Sequence, residues 1–192
     1  KTHDEYNVIE KIHDALVLGL KDFFRKLNFQ KAVMGLSGGI DSAVALVIAE
    51  RALGKENLRV LMLPSEYSSE SSVDDAKELA QNLGIRYDIM SINNVVNAFQ
   101  KTLDPLFGDL PQNTAEENIQ ARVRGTLLMA VSNKFGNILV NTSNKSESAV
   151  GYATLYGDMN GAISVLGDVY KTDVYRLAEY INRDKEIIPV ST

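Results

Sequence analysis

Apolar residues recur at Ile9, Ile12, Leu16, Leu20, Phe23 and Leu27, a spacing that predicts one amphipathic helix over about the first 25 residues. The period then changes. Lys31-Ala32-Val33-Met34 is short and apolar, as in a buried strand, and residues 43–49 are apolar on every side, as in a buried helix closed by Gly54. Residues 59–63 predict a second strand, stopped by Pro64. Val73, Ala76, Ala80 and Leu83 mark a helix ending at Gly84, and Ile85, Tyr87 and Ile89 alternate as a third strand. Val95, Phe99 and Leu103 mark a helix expected to break near Pro105 and Gly108. Thr114-Ala115-Glu116-Glu117 has the form of a capping box opening a long helix, with Ile119, Val123, Leu127, Ala130 and Val131 on its apolar face. Leu128 and Met129 fall off that stripe and call for another surface, such as a second copy of the chain. Ile138-Leu139-Val140 is a fourth strand, residues 141–170 are polar, glycine-rich and without a period, and Val174, Ala178 and Ile181 mark a last helix.

Strands alternating with helices predict an α/β domain spanning residues 1–192, a doubly wound parallel sheet with helices on both faces. Right-handed crossovers bring the strand-to-helix turns to one edge, where ligands bind.

The most informative of those turns is Gly35-Leu36-Ser37-Gly38-Gly39-Ile40-Asp41-Ser42. A strand, a glycine turn and a helix start make an anion site, because the first helical N–H groups lack partners and the dipole favours negative charge. Ser37 and Ser42 add hydroxyls. Asp41 would repel a phosphate unless a divalent cation sits between them. The loop lacks the Lys of G-x-x-x-x-G-K-[ST], which argues against a kinase or GTPase. A bare Gly-Gly here would read as a helix start without a ligand.

Composition narrows the setting. A net charge of −5 argues against a nucleic-acid partner. The chain has no Cys, which excludes disulfides, thiolate metal sites and cysteine nucleophiles. No apolar run is of membrane-spanning length and no signal-peptide pattern stands at the N-terminus, so the expected setting is cytoplasmic, away from membranes. His3 and His13, with no ligand cluster around them, are expected at the surface. The chain starts without Met and reads as a piece of something longer.

Three further constellations carry candidate chemistry. Asn141-Thr142-Ser143-Asn144-Lys145-Ser146-Glu147 follows strand four and emerges on the glycine-loop edge. There Thr142 can donate to a nucleoside, and Glu147 can join Asp41 as a hard ligand for Mg²⁺; the bland alternative is a solvated loop. Asn118 and Arg122 lie four apart on one helix face and suit a carboxylate or phosphate, whereas Arg124 points elsewhere. Lys171 opens a helix, where a cation is disfavoured by the dipole unless an anion sits beside it.

The motifs S-G-G-I-D-S, P-S-x-Y-S-S, E-E-N-I-Q-A-R-x-R-G, T-x-N-K-S-E and G-Y-x-T-L-Y-G-D-M follow in that order. As a set, over nearly all of residues 6–192, they resemble the synthetase domain of the NAD⁺ synthetase family of ATP pyrophosphatases, in its glutamine-dependent form. The resemblance implies an adenine nucleotide alpha hydrolase-like, Rossmann-like fold. The activity it implies is ATP-dependent amidation of deamido-NAD⁺ to NAD⁺ through an acyl-adenylate, with release of AMP and pyrophosphate. It implies that Gly35, Leu36, Ser37, Gly38, Gly39, Ile40, Asp41 and Ser42, with Leu63, Thr142 and Lys171, bind ATP. It implies that Asp41 and Glu147 hold Mg²⁺, and that Asn118, Arg122, Glu147, Tyr152 and Asp158 meet deamido-NAD⁺. Asp41, Glu147 and Lys171 are then the catalytic set. Family members are homodimers; the glutamine-dependent ones carry an N-terminal glutaminase domain, and members continue past the position of Thr192 with a segment covering the substrate. Ammonia-dependent members carry Lys where Leu155 stands, which points to the glutamine-dependent type; without a glutaminase domain, free ammonia would be the nitrogen source.

Two rival readings share the glycine loop: another ATP pyrophosphatase, such as a GMP synthetase-like or tRNA-modifying enzyme, and a non-catalytic adenine-nucleotide sensor. No general base stands out; Asp158 and Asp173 are the candidate proton acceptors.

Overall fold

A computed structural model describes residues 3–192, with side chains from Val8 onward. Five parallel strands form one sheet in the order β3-β2-β1-β4-β5. They are β1 (Ala32–Gly35), β2 (Leu58–Met62), β3 (Arg86–Ile89), β4 (Ile138–Asn141) and β5 (Ile163–Ser164). The helices are α1 (His3–Leu27), α2 (Ile40–Leu53), α3 (Glu70–Leu83), α4 (Asn93–Phe107), α5 (Thr114–Phe135), α6 (Lys145–Val150) and α7 (Lys171–Ile181). The strand order reverses beside β1, so β1 and β4 diverge in their connections at the crevice where open α/β sheets bind ligands.

The two faces of the sheet are unequal. On one, α1, α2, α3 and α7 build the larger core, and every residue from 43 to 49 is at most 1% exposed. A helix apolar all round needs cover all round: α2 lies on the sheet beneath α1 and α7. On the other face α4 and α5 cover a smaller cluster made by Val33, Leu61, Leu63, Ile92, Val96, Val123 and Leu139. Leu128 and Met129 pack against this cluster, and Leu128 lies under Gly35. They therefore do not need the second surface that the helical stripe suggested.

Several boundaries differ from the sequence reading. α4 runs through Pro105 and ends at Phe107 before Gly108. The ring removes only one bond near the helix end, and the carbonyl left free belongs to exposed Lys101. The capping box of α5 begins at Asn113, one residue before Thr114: the Asn113 side chain accepts from Ala115 N–H at 2.8 Å, and Glu116 accepts from Asn113 N–H at 2.8 Å. The stretch 141–170 is not wholly irregular, since it contains α6 and β5. Both are shorter than the windows in which periodicity can be detected. His3 lies outside the described side chains. His13 is buried, at 6% exposure, between Asp14 of its own helix and Arg51 of α2.

Candidate functional site

The glycine loop leaves β1 with Leu36 N–H still bonded to the Leu61 carbonyl at 3.0 Å. Gly38 then adopts φ +82°, and Gly39 caps α2 without a side-chain bond. The opening N–H groups of α2 are thus uncapped at the C-terminal edge of the sheet. Ser37 and Ser42 serve the loop itself: Gly39 N–H donates to Ser37 Oγ at 3.2 Å, Ser37 N–H to Ser42 Oγ at 3.2 Å, and Ser42 Oγ to the Gly39 carbonyl at 2.8 Å. Both hydroxyls therefore hold the loop in shape while their residues line the cavity.

Asp41 stands in the first turn of α2 and receives Lys171 Nζ from α7 on one oxygen and Asn144 Nδ2, at 3.0 Å, on the other. The carboxylate supplies the anion that a lysine at a helix start requires. Asn144 also closes a reciprocal capping box on α6: its Oδ1 accepts from Glu147 N–H at 3.0 Å, and Glu147 Oε2 accepts from Asn144 N–H at 3.1 Å. Lys171 N–H is itself held by Ser146 Oγ at 3.0 Å.

The segment after α6 is laid along α5. A Cβ on Gly125 would meet Asn160 Nδ2 at 2.5 Å and the Gly157 carbonyl at 2.7 Å, and one on Gly157 would meet the Ala121 backbone at 3.0 Å. Asn118 Oδ1 accepts from Thr154 Oγ1 at 2.7 Å, and Arg122 Nε donates to the Leu155 carbonyl at 3.1 Å. Asp158 Oδ1 accepts from Thr154 N–H at 2.7 Å, which closes the turn. Asp173, the other candidate proton acceptor, pairs with Arg176 at 2.9 Å.

Together these elements enclose a cavity of about 500 Å³. Of the residues read from the sequence, Gly35, Leu36, Ser37, Gly39, Asp41, Ser42, Leu63, Thr142, Glu147, Tyr152 and Asp158 line it. Gly38 faces α3, Ile40 packs into the core, Lys171 reaches Asp41 from behind, and Asn118 and Arg122 hold the far side of the 151–158 turn. The sequence reading missed three residues. Asn144 was visible as N-x-x-E, a cap signature hidden inside a motif read as a loop. Asn141, 7% exposed, binds the Asp158 and Asn160 carbonyls through Nδ2. Arg124 lines the cavity rather than pointing elsewhere: its Nε donates to the Leu63 carbonyl at 3.0 Å, and burial holds its guanidinium below the usual arginine range. It also borders a second, polar cavity of about 490 Å³ beside Tyr67 and Glu117.

Among the described residues no group of three or more His, Asp or Glu side chains gathers as a metal cage. An uncapped helix start beside a lysine-held carboxylate, at the switch edge of a parallel sheet, defines a parallel α/β domain with an anion-type glycine loop. Residues 12–191 match the family model described as NAD synthase, and the chain belongs to that family. It is 51% identical over 182 residues to the glutamine-dependent NAD(+) synthetase of Synechocystis sp., covering 95% of this chain and 33% of that protein. Among solved structures, the glutamine-dependent NAD+ synthetase from Acinetobacter baumannii in complex with ADP superposes with a TM-score of 0.93 at 49% identity, over 94% of this chain and 35% of that one. The NH3-dependent NAD synthetase from Campylobacter jejuni superposes at 0.83 with 34% identity, over 91% of this chain and 73% of that one. The chain spans about a third of the length of the glutamine-dependent relatives it matches.

Proposed function

We propose that this chain carries out ATP-dependent amidation of deamido-NAD⁺ to NAD⁺. The observation that supports it most is the convergence of the uncapped α2 start, Asp41, Thr142 and Glu147 on one cavity, with Lys171 paired to Asp41 beside it, in a member of the NAD synthase family.

A carboxylate resists attack because its charge repels a nucleophile and its leaving group would be oxide. The nicotinate carboxylate oxygen attacks the α-phosphorus of ATP, the bond to the bridging oxygen breaks, and pyrophosphate leaves. Ammonia then adds to the carbonyl of the acyl-adenylate, loses a proton, and expels AMP. The work assigned to the protein is positioning and charge stabilisation. The α2 amides face the pyrophosphate, Thr142 and the Leu63 strand end hold the nucleoside, and Lys171 moves from Asp41 to a phosphate oxygen. Asn118, Arg122, Tyr152 and Asp158 form the deamido-NAD⁺ side, with Asn118 and Arg122 acting through the turn they hold.

Two carboxylates in one cavity fit Mg²⁺, which takes one or two protein carboxylates and completes its shell with phosphate oxygens and water. Asp41 and Glu147 would hold it, and it would neutralise charge growing on the leaving pyrophosphate. The partners follow the family: ammonia, or ammonia released from glutamine by a glutaminase domain in a longer chain. A second copy of this chain would cover the exposed apolar residues Val95, Phe99 and Leu106 of α4 beside α5. Among the described residues no helix is long and apolar enough to cross a membrane, and a cytoplasmic setting suits a nucleotide substrate.

Pyrophosphate–ATP exchange that requires deamido-NAD⁺ tests the reading. Exchange with another acceptor points to a different ATP pyrophosphatase, and ATP binding without any exchange points to a sensor.

A further inference from the structure

Asn144 makes more bonds than a helix cap needs. It is 1% exposed, and its reciprocal bonds with Glu147 already cap α6. The other end of its amide donates to Asp41 Oδ1 at 3.0 Å, across 103 positions of sequence. A buried amide must satisfy its oxygen and its nitrogen alike. Here the oxygen is held by the backbone of one cavity-lining carboxylate residue and the nitrogen by the side chain of the other. Flipping the amide would set Nδ2 against the Glu147 N–H and Oδ1 against the Asp41 carboxylate, both repulsive, so the network has one orientation. α6 has only six residues, too few to hold a position by its own hydrogen bonds.

We propose that Asn144 is a positioning residue that sets the spacing and orientation of the Asp41 and Glu147 carboxylates, so that Mg²⁺-bound nucleotide meets both. The inference rests on the metal reading of those carboxylates given above. Partners that orient metal-binding side chains commonly control affinity by roughly ten- to a hundredfold when removed.

Asn144→Ser and Asn144→Asp separate tethering from capping. Ser and Asp cap helices about as well as Asn, so α6 keeps its start. Ser lacks the donor to Asp41, and Asp replaces it with a like charge. The measurement is the calorimetric affinity of ATP with Mg²⁺ and with EDTA, beside thermal melting of each protein. Both variants are expected to lose roughly tenfold or more in Mg²⁺-supported affinity, Asp more than Ser, with EDTA affinities unchanged. Wild-type Mg²⁺ dependence in Asn144→Ser would show a cap only and overturn the inference. Should the Ser variant fail to fold, the isosteric Asp variant carries the same comparison. Absence of Mg²⁺ dependence in the unmodified chain would instead overturn the metal reading, and this inference with it.

Discussion

A Cβ on Gly38 would lie 2.1 Å from the carbonyl oxygen of Ser72, so the glycine loop is seated directly on the first turn of α3. Gly38 also has φ +82°, which side chains other than glycine rarely adopt. Gly38→Ala therefore has to lift the loop from α3 as well as strain its backbone. The strain alone costs about 1–3 kcal/mol. Lower melting temperature together with weakened ATP binding is expected; thermal melts and ATP titration on the same variant check it, and an unchanged pair of values would contradict the seating.

Asp41 holds Lys171 and Asn144 at once. Asp41→Asn keeps the shape and removes the charge, leaving Lys171 at a helix start without its anion. Turnover is expected to fall about a hundredfold or more, on the scale of several kcal/mol that a metal contributes. The fold should persist, because the side chain stands at the sheet edge. Steady-state NAD⁺ formation with ammonium decides it, and undiminished turnover would remove Asp41 from the machinery.

Arg122 reaches the Leu155 carbonyl rather than the cavity. Arg122→Ala is expected to loosen the turn of residues 151–158 and to raise KM for deamido-NAD⁺ more than KM for ATP. A hydrogen bond from a charged group is worth roughly 1.5–3 kcal/mol, an upper limit at this exposed position. Equal changes in the two KM values would place its effect elsewhere.

His13 accepts from Arg51 Nη1 at Nε2, 2.6 Å away, because a guanidinium only donates; its proton is therefore on Nδ1, facing Asp14 at 2.8 Å. Burial, the largest cause, holds its pKa below 6.5, and the charges of Arg51 and Arg183 add to this while Asp14 opposes it. Tyr180, which bonds Glu10, packs against the ring from α7. The folded chain thus binds fewer protons here than the unfolded one. The stabilisation is complete above about pH 6.5 and is lost as pH falls from there toward the folded-state value. His13→Gln keeps an acceptor for Arg51 without a titration. Melting temperature between pH 7.5 and 5.5 should fall more steeply in the parent chain than in this variant; parallel curves would refute the assignment.

The alternation of strands and helices was legible because one sheet face takes period-two or continuous apolar runs and each covering helix takes a 3.6-residue period. The run 43–49 alone specifies a helix buried on all sides, and the strand, glycine turn and helix start of residues 32–42 alone place an uncapped helix N-terminus at the sheet edge. The sequence also set Asp41, Thr142 and Glu147 on one edge, since parallel crossovers allow no other. What it could not set was which polar atoms spend themselves on the protein. Ser37 and Ser42 fold back on their own loop, Asn118 and Arg122 hold a turn more than thirty positions away, and Asn144 joins two carboxylates. His13 was expected at the surface and is buried, because the packing of α2 and α7 over α1 covers it. Backbone periodicity is a local property that each segment carries with it, whereas the partner of a hydrogen-bonding side chain depends on which distant groups the packed helices bring within about 3 Å.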